Sequence, residues 1–324
     1  MPRRSLRASS SVLTILVLSL ALPALASAAS TKPTVVTGAF ANVTPSSASV
    51  LGKVTPNGAE TTYTFRYGTT TLYGAETPVT NAGSGTSAQT VLASIANLAP
   101  TTTYHYRLVA HNRNGTVTGA DRSFKTKPQP LGLTLAATPN PVPFGAGTTL
   151  VGNLSGTGAA GRQVILQQNP FPYASGFATL GNPQVTGADG GFAFPLLTVP
   201  FNTQYRVLIP DRPQVVSPLL LVSVAVKVST NVSATRVRSG RLVRFSGRVS
   251  PARPGALVAI QKLNRKRNWV TVAGTITHRL NSTASRYGKR VRIRRGGTYR
   301  VYVSAADGNF VPNAGRSVKI RRRL

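Results

Sequence analysis

Apolar and polar residues alternate in short runs through most of this chain. Val243-Arg-Phe245-Ser-Gly247-Arg-Val249 is one such run, and Arg290-Val291-Arg292-Ile293-Arg294 is another. Side chains two residues apart share one face of a strand, so a period of two predicts a sheet with one buried face. No long stretch repeats at the helical period of 3.6. Val, Thr, Ile and Tyr dominate the alternating runs, and Gly, Pro, Asn and Asp punctuate them. These residues suit strands and turns respectively. The pattern predicts an all-β chain.

The head of the chain breaks the pattern. Arg3, Arg4 and Arg7 precede an apolar run from Val12 to Leu22, followed by Pro23 and the small residues Ala26-Ser27-Ala28. That order predicts a signal peptide over residues 1–28, cleaved after Ala28, and therefore a secreted, extracellular or wall-associated protein. No later segment reaches the ~18 apolar residues of a spanning helix, and Val215–Val226 is interrupted by Pro218 and reads as strand. The sequence has no cysteine, which excludes disulfides, thiol chemistry and cysteine-ligated zinc. Composition shifts at Lys125–Pro130 and near Val226 divide the remainder into modules at 33–128, 131–225 and 226–324.

The first module contains Thr55-Pro56-Asn57-Gly58 and Tyr63-Thr-Phe65-Arg-Tyr67-Gly68. It continues with Leu98-Ala-Pro100-Thr-Thr-Thr-Tyr104-His-Tyr106-Arg-Leu-Val-Ala110-His-Asn112. It resembles a bacterial fibronectin type III domain over nearly its whole length. The resemblance implies that Leu98 packs inward and that the Tyr104 hydroxyl closes a corner on nearby backbone. The family's tryptophan on its second strand has no counterpart; Val50, Leu51 and Val54 occupy that region.

The other two modules match each other. Gly152-Asn-Leu154-Ser155 aligns with Gly247-Arg-Val249-Ser250, and Gly161-Arg-Gln-Val164-Ile-Leu166-Gln167 with Gly255-Ala-Leu-Val258-Ala-Ile260-Gln261. Tyr205-Arg-Val207 aligns with Tyr299-Arg-Val301, and the offsets are 95, 94 and 94 residues. The pair resembles tandem bacterial immunoglobulin-like domains, which implies a duplication. The expected fold is three tandem β-sandwiches, one fibronectin type III-like and two immunoglobulin-like. Asp189-Gly190 and Asp307-Gly308 read as turns.

Charge then separates the two copies. The chain has a formal net charge of +32, and residues 227–324 hold 24 Lys and Arg against one acid, Asp307. Residues 130–226 are nearly neutral, with three Arg and two Asp. In the third module Arg244, Arg248, Arg290, Arg292 and Arg294 alternate with apolar residues, as do Lys319 and Arg321, with Arg322 and Arg323 following. The alternation predicts cations spaced about 6.5 Å apart on outward sheet faces. Such a field attracts polyanions; the plainer alternative is a solvated, self-repelling surface.

Other chemistry finds little footing. His105 and His111 face outward about 20 Å apart along one strand, too far to share an ion. Asp189 and Asp307 each lack the carboxylate neighbours a calcium site needs. Six acids in all, no close pair and no nucleophile elbow argue against an enzyme. No cofactor is implied. The sequence therefore suggests a non-enzymatic adhesion or scaffold protein of the bacterial cell surface. Its basic third module would bind an anionic wall polymer, an acidic glycan or an acidic membrane surface, with no specific nucleic-acid recognition. The alternative is a carbohydrate-binding or accessory module using Trp269 and Tyr302 as aromatic platforms.

Overall fold

The computed structural model describes residues 29–323 apart from 212, 213 and 306. The expected signal peptide, 1–28, lies outside the described residues. Within them every regular element is a strand, and no helix is long and apolar enough to cross a membrane. The chain packs as two compact units, Met1–Lys127 and Pro128–Leu324.

The first unit is a two-sheet sandwich. One sheet orders Thr34–Ala41, Ser47–Thr55 and Gln89–Ala96; the other is built on Thr61–Gly68 and Thr103–Asn112, with short strands at its edges. Alternation aims Val50, Val54, Phe65, Tyr106 and Leu108 between the sheets, where each is fully buried. The corner before Thr103 forms as the resemblance implied. Leu98 is buried, and the Ala99 N–H donates to the Tyr104 hydroxyl oxygen at 3.0 Å. The Asn57-Gly58 turn, which carries the chain from one sheet to the other, has positive φ at both residues, 55° and 80°.

The second unit holds two further sandwiches with matching topology. In the first of them Thr148–Ser155 pairs with Gly132–Leu133, Ala136–Thr138 and Gly191–Leu196, opposite a sheet centred on Gln163–Pro170 and Thr203–Ile209. In the second, Arg241–Ser250 pairs with Lys227–Val228, Asn231–Val232 and Ser285–Ile293. Its facing sheet runs Arg236–Val237, Val318–Arg322, Gly297–Val303, Leu257–Leu263 and Trp269–Ile276. Gly152 and Gly247 occupy the same position, opposite Phe192 and Tyr287, and Tyr205 and Tyr299 both lie buried on the partner sheet.

One hydrophobic core runs through both sandwiches of this unit, from Leu133 to Ile320. Asn202 stitches their ends together. Its carboxamide oxygen accepts from Val224 N–H at 2.7 Å, its Nδ2 donates to Gly308 O at 2.8 Å, and its own N–H donates to Asn309 O at 3.0 Å. Beside it Phe144 meets buried Phe310 edge-on at 5.7 Å. The Arg253 guanidinium lies over the same Phe310 ring, 4.2 Å from its centroid, and pairs with Asp307. Burial pulls the Arg253 guanidinium below the usual arginine pKa.

Candidate anion-binding site

The basic face of the third sandwich is built by two neighbouring strands, Arg241–Ser250 and Ser285–Ile293. Val243, Phe245 and Val249 on the first, with Tyr287, Val291 and Ile293 on the second, are buried in the core. The pleat then forces Arg244, Arg248, Arg286, Arg290 and Arg292 outward, and all five are exposed. The antiparallel register sets Arg244 directly opposite Arg290 and Arg248 directly opposite Arg286. Residues so paired have Cβ atoms about 5 Å apart, and like charges there repel. The Arg244 guanidinium lies across Gly288: a Cβ at that glycine would be 3.4 Å from its Nη2. Arg292 Nη1 donates to Gly240 O at 3.3 Å, which holds that side chain against the neighbouring turn.

Among the described residues no carboxylate pairs with these arginines. Asp307 is the one acid between residues 227 and 324, and it is taken by Arg253 at the joint and by the Asn309 N–H. The arginines are therefore left to solvent and counterions.

The nine cations expected to act together do not share one face. Arg244, Arg248, Arg290 and Arg292 lie on one sheet. Arg294 follows the strand's last residue, Ile293, and sits in the bend where Ser239 Oγ donates to its carbonyl, so it projects from a turn rather than a sheet. Lys319 and Arg321 belong to the opposite sheet, on a strand paired in parallel with Arg236–Val237. There Arg236 faces Arg321, and both line an open groove of about 610 Å³ with Arg316 and Lys319. Arg322 has the parity of buried Ile320, and Arg323 lies beyond the strand end; both are exposed. Strand parity identifies Arg286, which the sequence reading missed although it lies four residues before Arg290. Arg236 and Arg316 had no such signal, because the strand pairing that brings them to the groove is non-local.

Trp269 and Tyr302 do share an outward face, on the other sheet, but neither is a bare platform. Arg300 stands between them, 4.4 Å from the Trp269 ring centroid and 6.0 Å from that of Tyr302, with its Nε donating to Gln261 Oε1 at 2.8 Å. One face of the indole is thus already covered by a cation.

A separate polar cluster lies in the first unit. Asp121 accepts from Tyr73 Oη at 2.8 Å and contacts His105 Nδ1 at 2.8 Å, while Arg107 stacks 4.5 Å from the Tyr73 centroid. Partial burial raises the Asp121 pKa, but hydrogen bonds from His105 and Tyr73 outweigh it and leave the carboxyl below its usual range. Among the described residues no serine or threonine hydroxyl bonds to His105, so the pair lacks the nucleophile of a triad. His111 bonds Thr116 Oγ1 at 2.9 Å instead.

No protein-family model matches the chain, and no curated protein matches it. Among solved structures, it is similar to three domains from titin at 15% identity, covering 90% of this chain and 100% of that one, with a TM-score of 0.39. It is similar to a tetra-tandem repeat in the extending region of a large adhesion protein at 15% identity, covering 89% and 74%, with a TM-score of 0.29. The FN1–FN3 domains of chicken CNTN1 share 15% identity over 89% and 97%, with a TM-score of 0.26. None of these likenesses bears on function.

Proposed function

We propose that the protein is a non-enzymatic adhesion or scaffold protein of the bacterial cell surface, exported by residues 1–28, whose third domain binds linear polyanions. The division we favour is 33–128, 131–225 and 226–324, with the first two domains as spacers. The observation that carries the reading is the facing arginine pairs Arg244–Arg290 and Arg248–Arg286. Two guanidinium groups held opposite each other repel until an anion lies between them. The polyanion class includes anionic wall polymers, acidic glycans and acidic membrane surfaces. Specific nucleic-acid readout has no support in this face, which offers rows of charge without free aromatic stacking partners.

The test is retention on immobilised polyphosphate across a salt series. Binding through several ion contacts falls steeply between low and moderate salt, because exposed charge is screened over a Debye length. The triple variant Arg244→Glu, Arg248→Glu, Arg290→Glu should fold, since its buried face is untouched, and lose low-salt retention. Retention that persists in the folded triple variant overturns the reading. Salt-insensitive binding to neutral polysaccharide, lost in Trp269→Ala, would replace it with the aromatic-platform alternative.

A further inference from the structure

The second sandwich has an opening into its core. Leu166, Phe194 and Tyr205 are core residues, yet they line a cavity of about 530 Å³ together with Leu180, Leu196 and Leu197. Its polar lining is uncharged, comprising Gln168, Asn182, Gln184 and Thr198 beside the tyrosine. Volumes of this size hold small molecules. Leu197, which lines it, is 90% exposed.

The duplicated tyrosine shows what is unfilled. Tyr299 in the third sandwich donates its hydroxyl to Arg295 O at 3.2 Å, and Lys262, directly across the register, lays its Nζ 5.5 Å from the ring centroid. A continuous strand, Trp269–Ile276, runs along that flank. In the second sandwich Tyr205 is 2% exposed and faces Gln168, and its hydroxyl has the Thr203 side chain as a polar neighbour in place of a backbone carbonyl. Thr203 Oγ1 donates its own proton to Phe201 O at 2.9 Å, so towards the tyrosine it can only accept. The corresponding flank is only two two-residue strands, Ala178–Thr179 and Gln184–Val185, with Leu180–Asn182 lining the gap. The Tyr205 ring thus lines an opening at the place where the Tyr299 ring is covered by Lys262.

We propose that this opening binds a neutral, mainly apolar small molecule with one hydrogen-bonding end, its apolar body against Leu180, Phe194 and Leu196 and its polar end at the Tyr205 hydroxyl. An anionic ligand is disfavoured because no cation lines the cavity. The site is independent of the arginine face.

N-phenyl-1-naphthylamine, a neutral apolar fluorophore with one N–H, is the probe, titrated into the full chain. Saturable fluorescence enhancement, unchanged between low and high salt, is expected. Leu180→Gln should weaken it about tenfold, by the loss of apolar contact. Tyr205→Phe should weaken it about fivefold, by the loss of one hydrogen bond. Leu197→Gln, at an exposed position that folding does not need, should weaken it about threefold and so keeps the test independent of stability. Leu257→Gln, in the opening of about 570 Å³ that the third sandwich presents with Val258 and Ile276, should leave binding unchanged and so separates the two openings. Absence of saturable binding overturns the proposal, as does a loss in Leu257→Gln equal to that in Leu197→Gln.

Discussion

The second and third sandwiches have the same skeleton and opposite surfaces. Gly152 opposite Phe192 becomes Gly247 opposite Tyr287, with the register kept 95 residues on. In that same register Thr149 faces Pro195 and Asn153 faces Gly191, where the third sandwich sets Arg244 against Arg290 and Arg248 against Arg286. On the other sheet a polar feature survives: Arg206 Nε donates to Gln167 Oε1, and Arg300 Nε to Gln261 Oε1, both at 2.8 Å. Each of these arginines also covers an aromatic ring, Phe177 at 4.1 Å and Trp269 at 4.4 Å. Inward positions and cross-strand supports are thus shared, while one outward face has turned cationic. The fold does not require that charge.

If the shared skeleton is real, the same substitution must hurt both copies. Gly152 and Gly247 offer the largest effect. A Cβ at Gly152 would lie 2.3 Å from both Phe192 Cζ and Thr134 O; at Gly247 it would lie 1.9 Å from Ser229 O and 2.7 Å from Tyr287 Oη. Backbone on one side and a buried ring on the other leave no cheap relaxation, so Gly152→Ala and Gly247→Ala should each cost about 3 kcal/mol. Urea unfolding measures this; a neutral result at either position breaks the equivalence.

A buried threonine pair comes next. Thr186 Oγ1 accepts from Arg162 N–H at 2.9 Å and donates to Ala159 O, while Thr277 Oγ1 accepts from Ala256 N–H at 3.0 Å and donates to Arg253 O. Valine fills the same volume but removes the acceptor of the Arg162 N–H, at about 2 kcal/mol for Thr186→Val. Thr277→Val should cost about 1 kcal/mol, because the Ala256 N–H keeps Arg253 O at 3.3 Å. A loss in either variant below a few tenths of a kcal/mol, again by urea unfolding, would show that the turns have diverged.

These threonines were invisible in the sequence, and the reason is general here. What could be read was local or periodic. The Leu98–Tyr104 corner lies within seven residues of chain, and alternation alone aimed Arg244, Arg248, Arg290 and Arg292 outward. The duplication was legible because Gly152, Gly247, Tyr205 and Tyr299 sit in short matched segments. What depended on strands meeting across the fold was not legible. Lys319 and Arg321 went to the opposite sheet because their strand pairs with Gly297–Val303 and Arg236–Val237. Arg294 was assigned to a strand that ends one residue earlier. Arg300 covers Trp269 because the strand Leu257–Leu263 lies between theirs, pairing with both. The Asn202 joint links residues more than a hundred positions apart.

The aromatic opposite each glycine separates the copies more gently. Tyr287 donates its hydroxyl to Ser229 O at 2.7 Å, and burial raises its pKa. Tyr287→Phe should cost about 1 kcal/mol, the net worth of one hydrogen bond. Phe192 approaches the same Gly152–Thr134 junction without a hydroxyl. Phe192→Tyr should therefore be neutral or stabilising by up to about 1 kcal/mol. A loss above that in Phe192→Tyr would mean that the strand Gly132–Leu133 and its continuation sit differently from Lys227–Val228.

The smallest effect tests the charge itself. Arg290 stands directly across from Arg244 with no carboxylate near, so the folded third sandwich holds a repulsion that unfolding relieves. Arg290→Thr keeps a strand-forming, outward residue and removes one member of the pair. At low salt it should stabilise the chain by a few tenths of a kcal/mol, read as a higher urea midpoint with unchanged slope. The gain must shrink as salt rises, because screening already weakens the repulsion in the parent. Thr149→Ala, at the place corresponding to Arg244 in the second sandwich, should show no such salt dependence, since neither it nor Pro195 is charged. The cost of placing arginines face to face is then measured directly, and its relief by added polyphosphate should exceed its relief by sodium chloride at equal ionic strength. A parent chain that responds equally to both salts would mean that the face does not discriminate a linear polyanion from simple screening.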